Sequence, residues 1–141
     1  MQTSVSSFNQ TFEKSHAWLK ELKSIGNFNS EEEAYTALRA VMHSLRDRLQ
    51  VDGAAHLAAQ IPMLIRGMYY EGWKPAATPH KQHTKEEFLG SVRSQLHNAT
   101  ERIEPEAATQ AVFQFLNQKI SEGEIDDIKS ELPSAILTLW Q

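Results

Sequence analysis

Apolar positions recur at helical spacing through most of this 141-residue chain. Phe8, Phe12, Ser15, Leu19 and Leu22 are separated by four, three, four and three residues, which lines them along one face of a helix. A second stripe runs through Ala34, Leu38, Val41, Leu45 and Leu49, widened by Met42. Between its members lie Arg39, His43, Arg46 and Gln50, a polar stripe of the same period that is expected to face water. Helical patterns follow in "VDGAAHLAAQ", "FLGSVRSQL", "EAATQAVFQFLNQKI" and "IDDIKSEL". No segment joins β-branched richness to strict alternation, so no sheet is predicted.

Helix starts are marked by residues that satisfy free backbone N–H groups. Ser30 with Glu33, Thr84 with Glu87 and Ser121 with Glu124 each have the spacing of a capping box. Asp52 is expected to cap the short helix after it. Pro62, Pro105 and Pro133 suit a first turn, where a missing N–H costs nothing. Eight helical segments result.

Those segments fall into two similar sets of four. With an offset of 71 residues, Ala37 falls on Ala108, Val41 on Val112, Leu45 on Leu116 and Leu57 on Ile128. Ile61-Pro62 falls on Leu132-Pro133, Ile65 on Ile136 and Tyr69 on Trp140. Upstream the offset is 70, with Trp18 on Phe88 and Leu22 on Val92. The expected architecture is a single all-α domain of two similar helical halves, an internal duplication. Its first repeat spans about 8–72, its linker about 73–83 and its second repeat about 84–141. Trp73 is expected to fold back over the end of the bundle with Tyr69 or Tyr70.

Composition narrows the function classes. The chain has no cysteine, so disulfides, thiolate metal sites and a cysteine nucleophile are out, and a reducing, cytoplasmic setting fits. Mean hydropathy is −0.48, and no apolar run reaches the ~20 residues that span a bilayer. No membrane association and no signal peptide are expected. Net charge is −4, all of it in residues 71–141, with seven basic and eleven acidic residues against seven of each in residues 1–70. No nucleic-acid partner is expected from that balance.

The blocks "ALRAVMHSLRDRLQVDGAAHLAAQIPMLIRGMYYEGWKP", "EEFLGSVRSQL" and "AVFQFLNQKISEGEIDDIKSELPSAILTLW" resemble the bacterial DUF2267 family, in order and from about Phe8 to Trp140. The resemblance implies an all-α fold of two similar halves, with a topology grouped with globin-like orthogonal helix arrangements. It implies no established activity, no catalytic residues and no haem, because fold is not function.

Candidate chemistry is sparse. No Gly-x-Ser-x-Gly elbow or phosphate loop is present, and no catalytic residue or cofactor is expected. His80 and His83 are three apart, yet no third ligand is dictated nearby, so no metal is expected. Lys74, Lys81 and Lys85 join those histidines in a stretch free of acids that suits an anion. Arg39, His43, Arg46 and Arg48 make a basic face, whereas the positions 71 further on are Gln110, Gln114, Asn117 and Lys119. Arg66 stands where the second half has Leu137, a position suited to gripping a carboxylate or phosphate, or to capping carbonyls. Gly67 beside it suits a close helix contact, or else only lowers helix propensity. Tyr70 and Trp73 form an aromatic exit absent from the second half. The leading expectation is a non-catalytic module that binds a protein partner or forms a homodimer. The alternative is a small-molecule-binding protein or enzyme with a pocket between the halves, lined by Arg66 or His43.

Overall fold

The computed structural model describes residues 3–81 and 83–140. Among them are eight α-helices and no strand, as the periodicity predicts. They are α1 (Ser6–Gly26), α2 (Glu31–Arg46), α3 (Val51–Ala58), α4 (Met63–Tyr70), α5 (Lys85–Leu96), α6 (Pro105–Lys119), α7 (Glu122–Ser130) and α8 (Ser134–Leu137). Short 3-10 turns lie at Pro75–Ala77 and His97–Glu101.

One apolar cluster takes side chains from every helix, among them Leu22, Leu38, Leu57, Tyr69, Phe88, Phe113, Ile128 and Ile136. The helices cross between the two sets of four. α1 lies along α6 and α2 along α5, while α2 also meets α6 and α3 meets α7. At the first crossing Trp18 and Phe115 meet edge to face, ring centroids 5.2 Å apart. At the second, Ser44 and Ser91 share a hydrogen bond of 2.9 Å.

Helix ends are also completed across the middle of the molecule. Gln50 precedes α3 and makes no side-chain cap; its backbone N–H instead donates to Glu131 Oε1 at the end of α7, at 2.7 Å. Asp52, expected as the cap, sits inside the first turn of α3. A β-carbon on Gly53 would meet the Glu131 carboxylate, so a larger residue there would push that side chain aside. The mirror arrangement starts α7. The N–H of Ser121 donates to Gln60 Oε1 at 2.8 Å, and Gln60 Nε2 donates to Ser121 Oγ at 3.0 Å. Gln50 and Ser121 are 71 residues apart, and so are Gln60 and Glu131.

These bonds explain which capping boxes form. Thr84 and Glu87 make a complete box. Ser121 accepts from the Glu124 N–H, but Glu124 has no N–H to answer, since Gln60 holds that of Ser121. Ser30 accepts from the Glu33 N–H, while Glu33 reaches back one residue further, to Asn29 N–H, and pairs with Arg102 at 3.1 Å. Pro105 opens α6 as expected, whereas Pro62 and Pro133 stand just before the first helical residue.

The largest difference between the two sets is at their first helices. α1 has 21 residues and α5 has 12, so α1 is nine residues longer (21 − 12), about 13 Å of extra helix. Its N-terminal turns run past the bundle, and Phe8, on the stripe expected to be core, is 54% exposed.

Candidate functional site

The basic face of α2 is built into the fold. His43, Arg46 and Arg48 are 2%, 3% and 4% exposed, which corrects the expectation that the stripe containing His43 and Arg46 faces water. α4 explains this. Its last carbonyls need donors, and it has no basic residue in its own last turn. α2 supplies them. His43 Nε2 bonds Met68 O at 2.7 Å; Arg46 Nη1 donates to Tyr69 O at 2.7 Å and to Glu71 O at 2.9 Å. Arg46 Nε donates to Asp47 Oδ1 at 2.9 Å. Half-exposed Arg39 ends the series with an ion pair to Glu71 at 3.2 Å. Residues 39, 43 and 46 thus clasp the exit of α4. Tyr69 anchors it from below, donating its hydroxyl to Ala54 O at 2.8 Å, and burial holds that phenol protonated.

Burial also lowers the His43 pKa below 6.5, with the nearby Arg46 and Arg39 charges adding to the effect against the bond to Met68. A neutral ring therefore donates through Nε2. The unfolded chain takes up the proton first, so this contribution is complete above about pH 6.5 and is lost as pH falls through that value toward the folded pKa. Urea unfolding should show wild type losing stability below pH 6.5 more steeply than His43→Gln, by at most about 1.4 kcal/mol per pH unit. Parallel pH profiles for the two would refute the assignment.

The other residues singled out from the sequence separate. Arg66 caps a carbonyl, donating from Nε and Nη2 to Ile61 O at 3.2 and 2.9 Å. Gly67 is exposed and a β-carbon there meets nothing within 4 Å, so it makes no close helix contact. Trp73 stacks on Tyr70 with centroids 5.3 Å apart, half-buried against the core, and closes that end of the bundle. His80 donates its backbone N–H to Asp47 O at 2.7 Å, pinning the linker to the end of α2. His80, Lys81 and His83 line one open cleft of about 520 Å³ with Arg48 and Glu131. No group of three His, Asp or Glu side chains placed to hold a metal occurs among the described residues.

Two surfaces stand out beside the overhanging α1. The first is a mostly apolar groove of about 330 Å³ between α1, α2 and α4, lined by Phe12, Leu19, Tyr35, Leu64, Ile65 and Met68 together with Ser15 and His16, the latter bonded to Glu31 at 2.7 Å. Leu64 is 57% exposed and Tyr35 38%; Phe8, one turn before Phe12, continues the apolar surface. The second is a polar cleft of about 450 Å³ on the other side of α1, where Lys14 and Gln10 face Gln60, Arg66 and Lys119. Thr11 joins them, accepting the Leu64 N–H at 2.9 Å and so capping α4, whose preceding Pro62 has no side-chain cap to offer.

Sequence reasoning missed the groove residues Tyr35 and Leu64 and the cleft residues Lys14, Gln60 and Lys119 as a set. One signal was present. At the offset of 71, Tyr35 falls on Glu106 and Leu64 on Ala135, and at 70 Ser15 falls on Lys85. In the second half Lys85 and Glu106 form an ion pair of 3.0 Å.

The molecule is thus an all-helical protein with one shared core, its buried basic groups committed to helix ends, and two open surfaces beside its longest helix. No described helix is long and apolar enough to cross a membrane. The chain belongs to the DUF2267 family, whose model, described as "Uncharacterized conserved protein (DUF2267)", matches residues 15–139. No curated protein matches it.

Proposed function

We propose that this protein is a non-catalytic cytoplasmic module that pairs with a second copy of itself through the groove between α1, α2 and α4. One observation carries the reading: the groove leaves Tyr35 and Leu64 exposed, where the second half has Glu106 and Ala135. At the corresponding place the other half has an ion pair and an alanine, so closing this part of the fold does not require an exposed tyrosine and leucine. A contiguous apolar surface beyond what folding needs marks an interaction site.

The occupant is a second copy because the groove and the side chain that fits it share one face. Leu64 stands 57% exposed at the groove's edge. A two-fold axis would set the Leu64 of each copy into the groove of the other, as a self-complementary interface requires. Charge favours the same arrangement. Residues 1–70 carry no net charge, whereas residues 71–141 carry −4, so copies meeting through α1 and α4 avoid the repulsion of their acidic halves.

The same reading treats the two sets of four helices as copies of one unit within a single domain. The crossed packing of α1 on α6 and α2 on α5, and the reciprocal bonds of Gln60 and Glu131, support it. A non-catalytic role is supported by the use of His43 and Arg46 as helix-end donors. A cytoplasmic setting fits the absence of cysteine.

Sedimentation equilibrium tests the pairing. Wild type should form dimers, Leu64→Glu should be monomeric with an unchanged helical spectrum, and Ala135→Glu in the other half should dimerise like wild type. A monomeric wild type, including one that captures helical peptides instead, would overturn the proposal.

A further inference from the structure

The polar cleft on the other side of α1 has a different character, and it is independent of pairing. We infer that it binds the phosphate group of a small soluble molecule. Three cations reach it from three helices: Lys14 from α1, Arg66 from α4 and Lys119 from α6. No carboxylate is among its lining residues. Lys119 is already paired with Glu21. Lys14 and Arg66 form no ion pair among the described residues, so two positive charges remain to meet a dianion.

Arg66 is prepared for that role. Its Nε and Nη2 bonds to Ile61 O fix the guanidinium plane and leave Nη1 outside those bonds. A guanidinium held in place loses less freedom when it meets a phosphate than a mobile one does. Gln10 and Ser7 add polar groups beside it, and Ile61 and Met63 form an apolar wall for the organic part of the ligand. The volume of about 450 Å³ lies within the ~300–1,000 Å³ typical of small-molecule pockets. Its concave form suits a soluble molecule rather than a flat membrane surface.

The protein contains its own control. Gln60 lines this cleft, while Glu131, 71 residues later, lines the cleft beside His80. Both side chains accept a backbone N–H from the start of the facing helix, Ser121 for Gln60 and Gln50 for Glu131. Gln60→Glu therefore keeps the acceptor that holds α7 and changes the charge of the cleft.

Inorganic phosphate and glycerol 3-phosphate are the probes, followed by amide and indole NMR signals at constant ionic strength. The Trp18 indole and the Met63 amide, both of residues that line the cleft, should shift saturably with a Kd of about 1 mM or less. Arg66→Leu, which installs the residue found at position 137, and Gln60→Glu should each weaken binding about tenfold or more. Shifts that do not saturate, or an equal Kd in wild type and Gln60→Glu, would overturn the inference. If Arg66→Leu fails to fold, Gln60→Glu decides alone. Phosphatidic acid vesicles form a second arm: binding to them without binding to glycerol 3-phosphate would also refute it.

Discussion

Replacing Arg46 with alanine is expected to cost about 3–5 kcal/mol of folding stability. The side chain is 3% exposed and donates to three acceptors, Tyr69 O, Glu71 O and Asp47 Oδ1. Truncation removes the donors and leaves the acceptors where water reaches them poorly, so the loss is the desolvation penalty of unpaired groups rather than the modest net worth of a hydrogen bond. A domain of this size is stable by about 5–15 kcal/mol, so the variant should unfold at clearly lower urea. Arg46→Lys should recover only part, because an ammonium carries the charge without the planar fork that reaches Nε and Nη1 partners together. Chemical denaturation of the three proteins measures this. A loss below about 1 kcal/mol in Arg46→Ala would mean that water replaces the guanidinium. The clasp also has a functional side. It fixes the end of α4, and α4 forms one wall of the groove, so Arg46→Ala should also weaken the pairing proposed above as it loosens the fold.

That residue also shows where sequence reasoning stopped. The apolar stripe of α2 was legible, since Leu38, Val41 and Leu45 are all fully buried. The polar stripe between them was not. An arginine at helical spacing reads as a solvent face until a neighbouring helix end arrives with unpaired carbonyls, and nothing in the local pattern announces that arrival. Arg66 was legible in kind: carbonyl capping was among its expected uses, and it does cap Ile61 O. Phe8 failed in the opposite sense. Its spacing places it on the core stripe, but α1 outruns the body that would cover it, and periodicity has no measure of where the partner ends. The helix starts followed local chemistry only where no distant group competed: Thr84 closes its box with Glu87, whereas Ser121 gives its N–H to Gln60, 61 residues away.

Comparing positions 71 apart recovers part of what periodicity misses. Arg46 and Asn117 occupy such positions, as do Tyr69 and Trp140. Arg46 donates to the Tyr69 carbonyl, and Asn117 Oδ1 accepts the Trp140 indole N–H at 2.8 Å. The same pair of stations is bonded in both halves, but with the donor on opposite sides. At this one position, what reads in the sequence as a basic residue in one half and a neutral one in the other is a change of bonding at the same contact.

Trp140→Ala is expected to destabilise the protein by about 3–5 kcal/mol, as for other large-to-small changes of a buried aromatic. The indole is 4% exposed. It stacks on Phe113 with centroids 4.1 Å apart and planes 13° from parallel, and Lys129 Nζ lies 5.6 Å from the ring centroid. Phe113 in turn contacts Phe88, so the stack links the chain end to α6 and α5. Truncation opens a cavity beside α8, a helix of only four residues. Two controls divide the loss. Trp140→Phe keeps a ring on Phe113 but drops the indole N–H, and Asn117→Ala removes only its acceptor; each should cost about 0.5–1.5 kcal/mol for the hydrogen bond, with Trp140→Phe losing some packing besides. If Asn117→Ala matched Trp140→Ala in a urea titration, the bond rather than the stacked ring would hold the chain end in place. The expected order, Trp140→Ala far below both controls, identifies the aromatic stack as what fixes α8 to the core.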